Sequence, residues 1–262
     1  MKKKFFDNFI IAFVLLFLFL PIIVLVLYSF NKNSNNLVFE GFTLKWFYEL
    51  FKNKDLVEAF FNTLLIATIS TVVSTIIGTI SAVGLHRYNF KFKGFINTLL
   101  YIPIVIPEIV LGISLLSMYT LTKLELGIFT IILSHIVFSI PYVIVSVRSV
   151  LSKSVDKIEE ASYDLGVSSI KTFWYITLPS IMPGIVSGAT LAFTLSLDDV
   201  VISYFTAGPG SNTLPLNIYS MIKTGITPDV NALSTLVLLV VVIVLSFLVI
   251  YDARKLKGEV NR

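Results

Sequence analysis

Long apolar runs, each bounded by short polar stretches, dominate the chain. The first reaches from Phe9 to Phe30 and the second from Ala59 to Leu85, neither carrying a charge. The third, Phe95 to about Thr122, is interrupted only by Glu108, and the fourth is Gly127 to Val147. The fifth runs from near Ile181 to near Phe205 and carries Asp198 and Asp199; the sixth lies between Asp229 and Asp252. A helix needs about 20 apolar residues to cross roughly 30 Å of hydrocarbon. Membrane strands would instead alternate in segments of about ten residues. The pattern predicts an all-α integral membrane protein with six transmembrane helices.

Two connections are longer than a tight turn requires. In the loop after the first run, Phe42, Trp46, Phe47, Leu50 and Phe51 recur at helical spacing, which predicts a short helix lying in the membrane interface. Between Leu151 and Ser180 the apolar pattern gives way to an amphipathic one, SVDKIEEASYDLGVSSIKTFWYITLPS. Here the spacing predicts two short helices joined by a corner at Gly166. Three segments follow: 1–57, the first transmembrane helix and its loop; 58–252, a five-helix core with the amphipathic pair at about 152–180; and 253–262, a tail.

Composition narrows the class. Of 262 residues, 56% are hydrophobic and 14% charged, against about 25% charged in an ordinary soluble domain. A soluble enzyme, a nucleic-acid binder and a disordered chain are excluded. With no cysteine, disulfides and thiolate chemistry are excluded as well. Placing the N-terminus inside puts 14 of the 20 Lys and Arg residues in inner segments and six in outer ones. The positive-inside rule therefore predicts that both termini are cytoplasmic. The MKKKFF start reads as the flank of an uncleaved first span, because its apolar run is too long for a signal peptide.

Catalytic chemistry is hard to build from this sequence. There is no Gly-Lys dipeptide and hence no phosphate-cradling P-loop, no HExxH, and only two histidines, His86 and His135. No catalytic residue, metal site or cofactor is expected in this chain, and ATP hydrolysis would fall to another subunit. His135, alone in the fourth run, reads as a helix–helix hydrogen-bonding group. The intramembrane acids are more telling. A charge at the bilayer centre costs about 3 kcal/mol on insertion scales, and such residues usually face a cavity or a partner. No Lys or Arg lies in the six runs to pair with Glu108, Asp198 or Asp199. These three are candidates for a cation pathway, with Tyr204 and Tyr219 as aromatic faces for an ammonium group. Pro103 and Pro107 remove two backbone donors just before Glu108 and predict a broken helix there.

From Glu160 the chain reads EASYDLGVSSIKTFWYITLPS. This resembles the EAA signature of type I ABC importer permeases, EAA-x3-G-x9-I-x-LP, with Glu160, Ala161, Gly166, Ile176, Leu178 and Pro179 in register and Ser162 replacing the second alanine. The stretches FTLKWFYELF, IPEIVLGISLL, LDDVVISYFTAGPG and LPLNIYSMIKTGITPDVNAL resemble the spermidine/putrescine branch, specifically its C subunit. The resemblance implies that Glu160, Ala161, Ser162 and Gly166 couple the chain to a cytoplasmic ABC ATPase dimer. It also implies a second permease subunit, an extracytoplasmic polyamine-binding protein and a place in the bacterial cytoplasmic membrane. Two alternatives remain: the same fold importing iron, thiamine or an organophosphonate, and an ATP-independent cation channel or secondary transporter.

Overall fold

A computed structural model describes residues 2–33, 38–151, 153–224 and 228–260. Among them the regular structure is helical, apart from one isolated antiparallel bridge between Asn31 and Phe42. The six predicted runs all fall in helices. By internal packing the chain divides into two units: residues 1–57 with 220–262, and residues 58–219.

The first unit contains α1 (Lys2–Ser29), α2 (Lys45–Lys52) and α12 (Pro228–Val260), with both α1 and α2 packed against α12. The sixth run, which the sequence pattern groups with the core, packs here with the first. α2 is a short helix where the spacing predicts one. Its Trp46 Nε1 donates to the Asn31 carbonyl at 2.6 Å, and Phe47 meets Phe30 at 5.1 Å between ring centres. Asn53 Nδ2 donates to Asp229 Oδ2 at 2.7 Å, which ties the end of α2 to the start of α12. The apolar surface of α1 from Phe9 to Leu20 is exposed along its length, as a helix bathed in lipid would be.

The second unit is built around α6 (Ile128–Val150). α3 (Lys54–Arg87) and α9 (Leu178–Asp198) pack with it over a core of Ala82, Val83, Val143, Ile144, Val147, Ile181 and Ala192. Close approach depends on small residues, as is usual between membrane helices. A Cβ added at Gly78 would lie 2.7 Å from Val143, and one at Gly184 would lie 2.9 Å from the Ser146 carbonyl. A second cluster joins α5 (Glu108–Leu121), α6 and α10 (Val201–Thr206) through Leu115, Tyr119, Phe138 and Ile202.

Three features of the helices matter for function, the first of them the break expected after Pro103 and Pro107. The third run is two helices, α4 (Lys93–Val105) and α5, bent by 110° at Ile106–Pro107. The fifth run also breaks: α9 ends at Asp198 and α10 begins at Val201. The amphipathic pair is α7 (Lys153–Asp164) followed by α8 (Ser169–Thr172), but α8 is no separate element. It continues through a π-helical turn, Phe173–Thr177, into α9, so that Ser169–Asp198 is one 30-residue helix. α11 (Leu214–Thr224) is a further short helix.

Among the described residues, four helical stretches are long and apolar enough to cross a membrane: Phe6–Ser29, Lys54–Arg87, Ile128–Val150 and Ser169–Asp198. The bent α4–α5 pair makes a fifth if it counts as one span.

Candidate functional site

Both helix breaks carry an exposed acid. Glu108 is the first residue of α5, directly after Pro107, and Asp198 is the last residue of α9. Both side chains are exposed. α5 and α10 pack against one another, close enough that a Cβ on Gly112 would lie 2.6 Å from the Phe205 ring. Tyr204 and Tyr219 are also exposed, at 61% and 45%.

Asp199, expected beside Asp198 on a cation path, has a different environment. It is buried, and its carboxylate caps α10: Ile202 N–H donates to Oδ1 at 3.1 Å and Ser203 N–H to Oδ2 at 2.7 Å. The cap explains the break physically, because α10 needs acceptors for its first N–H groups and Asp199 supplies them. The expectation that no basic group meets these acids fails at this residue. His135 Nε2 lies 3.2 Å from Asp199 Oδ2 and 3.2 Å from Ser203 Oγ, and Nδ1 lies 2.6 Å from Ser196 Oγ. Ser196 in turn meets Ser70 at 3.2 Å. His135 thus joins α6 to both sides of the break and, through Ser196, to α3, which is the helix–helix role expected of it. Counting only Lys and Arg as partners missed this pair.

The second candidate region surrounds α7. Its Glu160 and Ala161 are exposed, whereas Ser162 is buried, donating to the Glu159 carbonyl at 2.7 Å and meeting Thr172 Oγ1 at 2.8 Å. Gly166 sits in the left-handed region at φ +79°. There its N–H reaches the Tyr163 carbonyl at 2.8 Å and Val167 N–H reaches the Ser162 carbonyl at 3.0 Å. That pair of bonds is a Schellman closure, and it favours glycine at this position. Of the EAA-like residues, Glu160, Ala161 and Gly166 are therefore exposed and Ser162 is buried, with Ser162 and Gly166 shaping the corner.

Sequence reasoning missed Glu159. It is buried, and its Oε1 accepts from Arg87 Nη2 at 2.5 Å and from the Thr177 hydroxyl. Arg87 Nη2 also donates to Thr177 Oγ1 at 2.7 Å. A parallel contact places His86 Nε2 2.8 Å from Asp156 Oδ1. The clue was available in the spacing: Val155, Glu159 and Ser162 share one face of α7, and a carboxylate on that otherwise buried face calls for a charged partner. An open cleft of about 470 Å³ adjoins these groups, lined by His86, Arg87, Tyr88, Asp156, Glu159, Glu160, Tyr163 and Ser169. Among the described residues no cluster of His, Asp and Glu could hold a metal ion.

Comparison with known proteins places this architecture. The sequence profile of the family described as "Binding-protein-dependent transport system inner membrane component" matches residues 74–254. The chain is 42% identical over 241 residues to the spermidine/putrescine transport system permease protein PotC of Escherichia coli (strain K12), covering 91% of each chain. It is 39% identical over 251 residues to the protein of that name from Haemophilus influenzae, covering 95% of this chain and 98% of the relative. The putrescine transport system permease protein PotI of Escherichia coli (strain K12) is 40% identical over 229 residues, covering 85% and 82%. Among solved structures, a bacterial ABC transporter involved in the import of the acidic polysaccharide alginate superposes with a TM-score of 0.69 at 13% identity, covering 95% of both chains. The MetNI methionine ABC transporter gives 0.57 at 19% identity, covering 77% of this chain and 94% of that one. The two structures share the fold, and the sequence match gives the family: the chain belongs to the inner membrane components of binding-protein-dependent transport systems.

Proposed function

We propose that this chain is a transmembrane permease subunit of an ATP-driven importer of polyamines in the bacterial cytoplasmic membrane, with both termini cytoplasmic. The observation that carries the reading is sequence identity of about two residues in five, over nearly the whole chain, to permeases named for spermidine and putrescine transport. The site chemistry agrees. Glu108 and Asp198 are exposed carboxylates at two helix breaks, and a polyamine is a flexible chain of ammonium groups that such carboxylates attract as it sheds water. Tyr204 and Tyr219 offer aromatic faces alongside.

The chain hydrolyses nothing and binds no cofactor in this reading. A cytoplasmic ATPase dimer docks on the exposed face of α7 at Glu160 and Ala161, while Ser162 and Gly166 hold the corner that presents it. A second permease subunit completes the pathway, and an extracytoplasmic binding protein delivers the cargo.

The test is radiolabelled spermidine uptake in cells without their own importer, supplied with the full complex or with the complex minus this chain. ATP-dependent uptake that disappears without the chain supports the proposal. An assembled complex that imports no spermidine overturns the cargo assignment.

A further inference from the structure

Around Glu159 three separate parts of the chain meet at one carboxylate. Arg87 is the last residue of α3, Glu159 lies in the middle of α7, and Thr177 ends the π turn at the root of α9. The three side chains close a triangle: Arg87 Nη2 donates to both Glu159 Oε1 and Thr177 Oγ1, and the Thr177 hydroxyl donates to Glu159. The Glu159 side chain is 8% exposed and that of Arg87 21%. Two further ties run beside it, His86 to Asp156 and Ser162 to Thr172.

A triangle of this kind is an unusual way to hold a helix in place. Apolar contacts of similar volume commonly serve stability as well or better, and a buried ion pair is best explained when it fixes one arrangement against others. What it fixes here is the position of α7 against two long helices. α3 has 34 residues, or about 51 Å at 1.5 Å per residue. The Ser169–Asp198 helix has 30 residues, or about 45 Å. Both are long enough to carry a displacement at one end across the hydrocarbon layer. Leu151, at the end of α6, and the Gly166 corner after α7 are non-helical. The π turn adds a place where the long helix can change register, a feature that recurs at functional sites.

We infer that Arg87, Glu159 and Thr177 are positioning residues forming a latch that passes movement of α7 to α3 and α9. This rests on the reading above that an ATPase docks on the exposed face of α7. The latch lies beside the docking residues Glu160 and Ala161 and touches neither ATP nor cargo. Removing it leaves the ATPase in place and lets hydrolysis run ahead of transport.

The experiment uses the complete complex in proteoliposomes with binding protein and spermidine, and measures uptake, ATP hydrolysis and co-purified ATPase together. Glu159→Gln and Arg87→Gln are each expected to lower uptake at least tenfold. They are also expected to raise ATP consumed per spermidine imported at least fivefold, with co-purified ATPase within twofold of native. Arg87→Lys, which keeps the charge, is expected to recover at least a third of native uptake. If a Gln variant does not reach the membrane, Thr177→Val keeps the ion pair, loses only the hydroxyl and is read by the same ratio. Uptake and hydrolysis falling in step, with the ratio unchanged, would mark the triangle as a simple staple and overturn the proposal, as would a native ratio with native uptake. A native complex that imports nothing, or that imports without ATP, overturns the functional reading and this proposal with it. A working native complex whose variants keep the native ratio overturns this proposal alone.

Discussion

Asp198 and Asp199 are neighbours with opposite environments, and the difference comes from backbone geometry. Where α9 stops, successive side chains diverge: Asp198 is exposed, while Asp199 turns inward, caps α10 and meets His135. Substitutions at the two positions should therefore fail in different ways. Asp199→Ala removes a helix cap, at about 1–2 kcal/mol, and takes from His135 its carboxylate partner, leaving it only the Ser196 and Ser203 hydroxyls. It should lower the thermal midpoint of the purified complex and reduce uptake only in proportion to the folded fraction. Asp198→Ala trims an exposed side chain that makes no hydrogen bond or ion pair among the described residues. It should leave the midpoint within a degree or two and raise the spermidine concentration for half-maximal uptake about tenfold. Spermidine titrations and melting curves on both variants check this, and equal melting points would remove the capping role. The sequence marks both aspartates as costly in a membrane, but it cannot say which one turns inward. That depends on His135, 64 positions away on another helix, and no local pattern encodes such a pairing.

Elements were easier to read than their interruptions. A run of twenty apolar residues has few other uses, so all six were visible, as was the amphipathic α7 between them. The bend before Glu108 was visible too, because Pro103 and Pro107 remove backbone donors. The break at Asp199–Val200 has no proline or glycine and arises from a carboxylate that outcompetes the helix for its own N–H groups, while the π turn leaves no compositional trace. Gly166 is the corner where sequence and structure agree most directly. Its φ of +79° is comfortable for glycine and costs an alanine about 1–2 kcal/mol. Gly166→Ala should loosen the angle at which α7 is presented, reducing co-purified ATPase several-fold. Gly166→Asn should do so less, because asparagine tolerates the left-handed region better. Retention of ATPase on the tagged complex measures both. Equal binding by all three forms would show that the corner angle is not what the partner reads.

For the whole molecule, the number of membrane crossings turns on the bent pair α4–α5. Its helices have 13 and 14 residues, about 20 Å each, so neither alone crosses roughly 30 Å of hydrocarbon. If the pair crosses as one broken span, the 14-to-6 distribution of Lys and Arg stands. If it re-enters and leaves on the same side, every later segment changes sides. Lys123 and Lys223 then move inside, while Arg148, Lys153, Lys157, Lys171 and the four basic residues beyond Asp252 move outside. That leaves eight basic residues inside and twelve outside, reversing the bias that orients such proteins. The charge distribution therefore favours a crossing. Because the chain has no cysteine, one introduced thiol reports its own side without background. Asn89 precedes α4, Glu125 follows α5, and both are exposed. In intact spheroplasts, an impermeant maleimide should label Glu125→Cys and spare Asn89→Cys, with both labelled after permeabilisation. Labelling of both or of neither before permeabilisation would make α4–α5 a re-entrant hairpin. Glu108 would then sit at the tip of a loop dipping into the membrane from one side, and the opposite ends of the pathway would have to be sought on other helices.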